Sequence, residues 1–194
     1  MVAVIKYNAG NIRSVAFALE RLGVDFAVTD NHEEIQKADK VIFPGVGEAR
    51  TTMDYLKACK LDKVIKTLKQ PVLGICLGMQ LMCAHSEEND TPCLGIFDEP
   101  VKLFKPVHSE KVPHMGWNSL TTNQSWLDAS LDEQFVYFVH SYYVPVNAYT
   151  AATTEYIHPF SAAMIKDNFH AVQFHPEKSA ATGEKVIVSF LNKL

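Results

Sequence analysis

Cys76 stands in Gly74-Ile75-Cys76-Leu77-Gly78, a G-x-C-x-G pattern with an apolar run before it and a helical pattern after it. This is the cysteine counterpart of a nucleophile elbow, in which a sharp strand-to-helix turn presents a reactive side chain. The flanking glycines have a steric reason, because such a corner brings chain against chain and leaves no room for a Cβ. The sulfur would also lie near the N-terminus of the following helix, whose dipole and free N–H groups favour the thiolate. An inert buried cysteine is the competing reading of the same pattern. Cys59, Cys83 and Cys93 lack the glycine frame and read as structural.

A second candidate lies about a hundred residues on, at Phe174-His175-Pro176-Glu177. Pro176 disfavours helix at His175 and keeps the segment extended. In an extended chain residues i and i+2 share a side, so His175 and Glu177 can lie next to each other. A carboxylate beside an imidazole fixes its tautomer and stabilises the imidazolium, and imidazole is the base that activates a thiol. A loop-end histidine with a solvated glutamate is the bland alternative, and the eight histidines of the chain give it weight. Pro44-Gly45-Val46-Gly47 can expose backbone N–H groups to hold an oxyanion together with the N–H of Leu77. Taken by itself it also reads as a plain turn.

These residues need a frame. Val2–Tyr7 is a compact apolar run that reads as a buried strand. Ile12, Val15, Ala16, Leu19 and Leu22 follow helical spacing after Asn11, and Gly23 stands where a helix ends. Strands are predicted at 24–29, 41–43 and 71–75, with helices around Met53 and Leu56, around Val64, Ile65 and Leu68, and over 77–84. Alternating strands and helices indicate a parallel sheet covered on both faces. The second half differs, with strand patterns near 94–104, 110–113, 134–139, 150–156, 161–165 and 169–174 and a closing helix over 181–194. The expected fold is α/β, a mostly parallel central sheet flanked by helices on both faces, with additional antiparallel strands in the second half.

Composition narrows the function classes. The chain has 194 residues, 47% of them hydrophobic and 21% charged, which suits one domain over 1–194. Lys and Arg number 18 against 22 Asp and Glu, a net charge of −4, which argues against a nucleic-acid binder. No apolar run reaches the roughly 18 residues of a membrane span, and the first residues lack the features of a leader peptide. Four irregularly spaced cysteines without a C-x-x-C pair suggest neither a disulfide framework nor a metal site, and fit a reducing cytoplasm. No cofactor is implied.

Taken together, PGVG at 44–47, GICLGMQ at 74–80 and AVQFHPEKS at 171–179 resemble the class I (triad) glutamine amidotransferases. YNAGNIRSV at 7–15, PHMGWN at 113–118 and FVHSYY at 138–143 narrow the likeness to the glutaminase subunits of imidazole glycerol phosphate synthases. The resemblance implies that Cys76 attacks the γ-amide of L-glutamine to form a thioester, that His175 moves the proton, and that Glu177 orients His175. It implies an oxyanion hole at the N–H groups of Val46 and Leu77, with Gly45 and Gly47 freeing the chain to turn. Gln80, Ser141 and Tyr142 would hold the amino-acid end of the substrate. The implied partner is a (β/α)8-barrel cyclase that forms a heterodimer and uses the ammonia to make imidazole glycerol phosphate in histidine biosynthesis. Ammonia supplies a physical reason for such a partner, since in neutral water it is mostly ammonium, and a dry passage keeps it nucleophilic. Asn11, Trp117 and Lys178 lie in the narrowing stretches and are candidate interface residues. Their bland alternatives are a helix cap, a core tryptophan and a solvated charge. The same reading expects weak turnover by the chain alone, with the 44–47 segment completed on docking.

The sequence departs from the family pattern where Tyr156-Ile157 stands for a Tyr-Gly pair, at Cys93 and at Ala171, where glycines are commoner. These touch loop shapes and not the proposed triad. The competing functions are a glutaminase serving an anthranilate or aminodeoxychorismate enzyme, a cysteine hydrolase of another class, and a non-catalytic docking subunit.

Overall fold

The computed structural model describes residues 1–8, 11–123 and 126–193. Ala9 and Gly10 of the 7–15 stretch, and Leu194 of the last predicted helix, lie outside them. In chain order the elements are β1 (Val2–Ile5), α1 (Ile12–Arg21), β2 (Phe26–Thr29), α2 (His32–Lys37), β3 (Lys40–Gly45), α3 (Ala49–Ala58), α4 (Leu61–Thr67), β4 (Val72–Cys76) and α5 (Leu77–Met82). There follow β5 (His85–Ser86), β6 (Thr91–Pro92), β7 (Pro100–Leu103), β8 (His114–Ser119), β9 (Thr121–Thr122), β10 (Phe135–His140), β11 (Tyr142–Tyr143), β12 (Thr150–Glu155), β13 (Pro159–Lys166), β14 (Phe169–Val172) and α6 (Ala180–Lys193).

The main sheet runs in the order β2-β1-β3-β4-β14-β13-β12-β9. From β2 to β14 the pairs are parallel, and from β14 outward they are antiparallel. This is the mixed architecture expected from the two halves of the sequence. Both faces are covered, and the strands show it residue by residue. Ala3 and Ile5 of β1 pack with Ile35, Met53, Leu56, Leu61 and Ile65 from α2, α3 and α4. Val2 and Val4 point the other way, to Val15 and Leu19 of α1 and Val186, Ile187 and Phe190 of α6. A strand buried on both sides needs apolar residues at consecutive positions, hence the short unbroken runs of β1, β3 and β4.

The register sets the site. Parallel pairing places Gly45 of β3 opposite Cys76 of β4, and Ile75 of β4 opposite Val172 of β14. Three neighbouring strands therefore end at one edge of the sheet. Their following residues are the 44–47 segment, the Cys76 corner and the His175 stretch. Ligands bind at the carboxyl ends of parallel strands for this geometric reason.

Two expectations are corrected, and one helix lies outside them. The predicted strand over 94–104 shrinks to β7. The N–H groups of Leu94, Gly95, Ile96 and Phe97 instead bond to carbonyls of Leu81, Cys83 and Met82. They satisfy the open C-terminal carbonyls of α5, which would otherwise be orphaned. The strand predicted at 110–113 lies further on, as β8, and pairs antiparallel with β10. Helix α2 carries no sequence signal, since only Ile35 of its six residues is buried and no apolar stripe marks it. The Asn31 side chain caps it, accepting from the N–H groups of Glu33 and Glu34.

Candidate active site

Cys76 joins β4 to α5 with φ 52° and ψ −107°, a left-handed conformation that costs a residue with a Cβ. The glycines on either side hold it there. A Cβ on Gly78 would run into the Phe43 carbonyl oxygen, and one on Gly74 would come within 2.9 Å of the Met82 sulfur. The sequence expectation of a crowded corner is thus met at both positions. Leu77 opens α5, so its N–H is among those without an intrahelical partner.

His175 and Glu177 come together as the extended spacing predicts. His175 Nδ1 lies 2.7 Å from Glu177 Oε1, and both side chains are fully buried. The ring's backbone is anchored to β10, where the Tyr137 carbonyl accepts the His175 N–H at 2.9 Å. Ser179 reinforces this, donating through Oγ to the His175 carbonyl at 2.7 Å and accepting from the Tyr137 N–H at 2.9 Å. Burial alone would lower the His175 pKa. The Cys76 sulfur, followed by the Glu177 carboxylate, outweighs burial and raises it to about 10. The cationic form of the imidazole is therefore favoured at neutral pH. His175 Nε2 is buried without a partner at hydrogen-bonding geometry, which leaves it as the ring atom available to the sulfur and to an incoming reactant.

Cys76 and His175 line one cavity of about 330 Å3, within the range of small-molecule sites. Val46, Gly47 and Leu77 line it too, as do Gln80, Ser141 and Tyr142. The structure thus gathers most of the residues the sequence singled out. Gly45, which is buried, stands at the end of β3, where a Cβ would meet the Tyr7 hydroxyl at 2.6 Å. That hydroxyl donates to the Pro44 carbonyl and so holds the strand end next to Val46. Both amide hydrogens of Gln80 are committed, to the Tyr142 carbonyl and to Gln173 Oε1, each at 3.0 Å. Only its oxygen remains to meet a ligand.

The three predicted interface residues are placed differently from one another. Asn11 occupies the N-cap position of α1, but its side chain makes no capping bond. Its amide donates instead to Glu177 Oε1 and lies 3.3 Å from His175 Nδ1. It adjoins the His175–Glu177 pair. Trp117 is 53% exposed on β8, so the core alternative fails. It stands with exposed Met115 and Phe135 on the outer face of the β8–β10 hairpin, its ring against Tyr137. Lys178 is exposed one residue beyond Glu177.

Three residues at the sulfur or along the cavity are not singled out in the sequence reading. Gln173, fully buried, donates through Nε2 to Cys76 Sγ at 3.6 Å. The same alternation that paired His175 with Glu177 could have found it. Glu88 lines the cavity and accepts the Ala49 N–H at 2.8 Å. Burial pushes its carboxyl upward, the Ala49 bond opposes this, and the nearby Glu48 charge adds to it. Nothing in the polar tract 86–90 distinguished it from a solvated charge. His140 also lines the cavity, with Nδ1 donating to the Tyr142 carbonyl at 2.7 Å. Its Nε2 must then accept from His114 Nδ1, at 3.1 Å, so the tautomers of both rings follow from the network. Burial pushes His114 to about 4 and His140 to about 3, the latter opposed by the Tyr142 bond and aided by the neighbouring rings. Both stay neutral, and His175 is the cationic ring of the site.

Comparison with known proteins identifies the family. The family model for class-I glutamine amidotransferases matches residues 3–193. A Bacteroides thetaiotaomicron protein named imidazole glycerol phosphate synthase subunit HisH is 64% identical, covering 98% of each chain. A Legionella pneumophila (strain Paris) protein, HisH 2 of the same synthase, is 47% identical over 99% of this chain and 98% of its own. Among solved structures, a glutamine amidotransferase superposes with TM-score 0.76 at 17% identity, covering 98% of this chain and 97% of the other. PurLQS from Thermotoga maritima gives TM-score 0.69 at 16% identity, covering 99% and 97%. With the family pattern matched from first strand to last helix, the chain belongs to the class-I glutamine amidotransferases.

Proposed function

We propose that the chain is the glutaminase subunit of an imidazole glycerol phosphate synthase, working in the cytoplasm and delivering ammonia to a (β/α)8-barrel cyclase in a heterodimer. The observation that carries the chemistry is that Cys76 and His175 line one cavity, with buried Glu177 bonded to the far side of the His175 ring. The thiolate of Cys76 attacks the γ-carbonyl carbon of glutamine. The developing oxyanion is held by the N–H groups of Val46 and Leu77. His175 passes its proton to the departing nitrogen, which leaves as ammonia, and the γ-glutamyl thioester remains. His175 then takes a proton from water, whose oxygen attacks the thioester and releases glutamate and the thiolate. Glu177 keeps the ring in the required tautomer throughout.

The substrate's other end meets complementary charge. Glu88 is the carboxylate among the residues lining the cavity, and it suits the α-ammonium. The Gln80 oxygen adds an acceptor there, with Ser141 and Tyr142 beside it. The exposed face of the β8–β10 hairpin, with Met115, Trp117 and Phe135, suits a docking partner. The names of the 64% and 47% identical relatives support the choice of synthase over a chorismate-using one.

The test is reconstitution with the cyclase subunit. Cys76→Ala should abolish glutamine-dependent synthesis and leave ammonia-dependent synthesis intact. Full glutamine-dependent activity in that variant would refute the thioester mechanism, and binding of a chorismate-using protein in place of the cyclase would refute the assignment of the partner.

A further inference from the structure

The loop that carries Glu88 is clamped to the start of α3, the helix that follows the 44–47 segment. Asn89 and Asp90 both adopt left-handed backbone, with φ 54° and 50°. Two consecutive side-chain-bearing residues in that region cost energy and need support from their surroundings. The support is Arg50. Its Nη2 donates to the Asn89 carbonyl and, at 2.9 Å, to the Asp90 carbonyl, and its Nε donates to the Asn89 carbonyl at 3.1 Å. Bonds run in the other sense as well. The Asn89 amide donates to Glu48 Oε1 at 2.6 Å, while Glu48 itself accepts the N–H groups of Arg50 and Thr51 at 2.9 and 2.8 Å. The Ala49 N–H donates to Glu88 Oε2 at 2.8 Å. Residues 48–51 and 88–90 therefore form one hydrogen-bonded unit, which reaches the cavity through its own Glu88 and through the adjoining Gly47.

We propose that Arg50 is a positioning residue for glutamine recognition, holding Glu88 over the cavity and tying it to the Gly47–Glu48 backbone beside Cys76. This deepens the proposed glutaminase function and rests on it. Two of the lining elements approach the substrate from opposite ends, the carboxylate at the α-ammonium and the 45–47 strand end at the γ-amide. Linking them rigidly makes the distance between the two recognition points a property of the protein. Glutamine, whose two ends have a set separation, then fits better than an amide that lacks the ammonium. A guanidinium does this better than an ammonium group, because its fork serves two carbonyls at once.

The test compares two reagents at Cys76 in the full chain. The γ-electrophile 6-diazo-5-oxo-L-norleucine retains the α-ammonium and α-carboxylate of glutamine, whereas iodoacetamide has neither. Labelling of each cysteine is followed by mass spectrometry. In Arg50→Ala the glutamine analogue should label Cys76 about tenfold more slowly, with iodoacetamide unchanged, as a misplaced recognition group costs rate without blocking the thiol. Arg50→Lys should recover part of the loss. Glu88→Gln should show a similar loss, and Arg50→Ala should add nothing to it in the double variant, since both act through one contact. Cys83 is fully buried, so its alkylation identifies a variant that has unfolded. In that event Arg50→Lys carries the comparison, with an expected loss of about threefold for the analogue alone. Unchanged analogue labelling, equal losses with both reagents, or losses that multiply in the double variant would overturn the proposal. Wild-type chain that takes iodoacetamide at Cys76 but never the analogue would overturn the glutamine reading instead.

Discussion

Glu177→Gln separates two roles of the buried carboxylate, its charge and its geometry. Glu177 Oε1 lies 2.7 Å from His175 Nδ1 and also receives the amide of Asn11. A glutamine in its place loses the charge. A hydrogen bond to a charged group contributes about 1.5–3 kcal/mol, and the substitution gives up most of it. Since a pKa unit is about 1.4 kcal/mol, the His175 pKa should fall by one to two units from about 10. The stabilisation of the imidazolium falls by the same energy, which is about 10- to 100-fold in rate. Geometry is a separate matter. In triads where the replacing amide turns its NH2 to the ring, the wrong tautomer forms and the loss is about 10⁴-fold. Asn11 prevents that here, because its donor requires an oxygen at the shared position. The expected loss for Glu177→Gln is therefore the smaller one, with the larger appearing only when Asn11→Ala is added. The assay is kcat/KM for glutamine in the reconstituted complex, with the pH profile of Cys76 alkylation reporting the imidazole. A 10⁴-fold loss with Asn11 in place, or no loss at all, would refute the reasoning.

Other consequences follow from packing and burial. His170 is buried against the Trp126 and Phe190 rings, and burial pushes it to about 4 from 6.5, with Lys40 adding to this and backbone bonds opposing it. A base held neutral in the fold contributes fully above pH 6.5 and loses that contribution as pH falls toward 4. Between pH 7.5 and pH 5 it should cost about 2 kcal/mol of stability. Urea midpoints of His170→Leu should accordingly vary less over that interval, and an unchanged slope would contradict the assignment. Gly78→Ala should destabilise by about 3 kcal/mol, because its Cβ would meet the Phe43 carbonyl. A urea titration within about 0.5 kcal/mol of wild type would disprove that contact. Trp117→Ala should weaken cyclase binding by about 2 kcal/mol while leaving the isolated chain as stable as before, since the ring is 53% exposed. Calorimetry showing unchanged affinity would remove the hairpin from the docking surface.

The sequence by itself determined the elements whose signals are local. The buried strands β1, β3 and β4 are short apolar runs, and the corner at Cys76 is framed by glycines whose absent Cβ atoms the structure explains. The pairing of His175 with Glu177 needed only an extended chain and the proline between them. Elements without a local signal were missed or misplaced. Helix α2 buries one residue, and the 94–97 segment spends its N–H groups on the end of α5 and not on a neighbouring strand. The tertiary structure alone decided what meets across distance. Strand order and register put the ends of β3, β4 and β14 at one edge, so residues 46, 76 and 175 share a cavity. It also placed side chains where the sequence did not point, such as Asn11 at the carboxylate of Glu177 and Glu88 in the lining of the cavity. The physical reason is that periodicity encodes which side of an element is buried, whereas a hydrogen bond between residues 166 positions apart depends on how whole elements are packed.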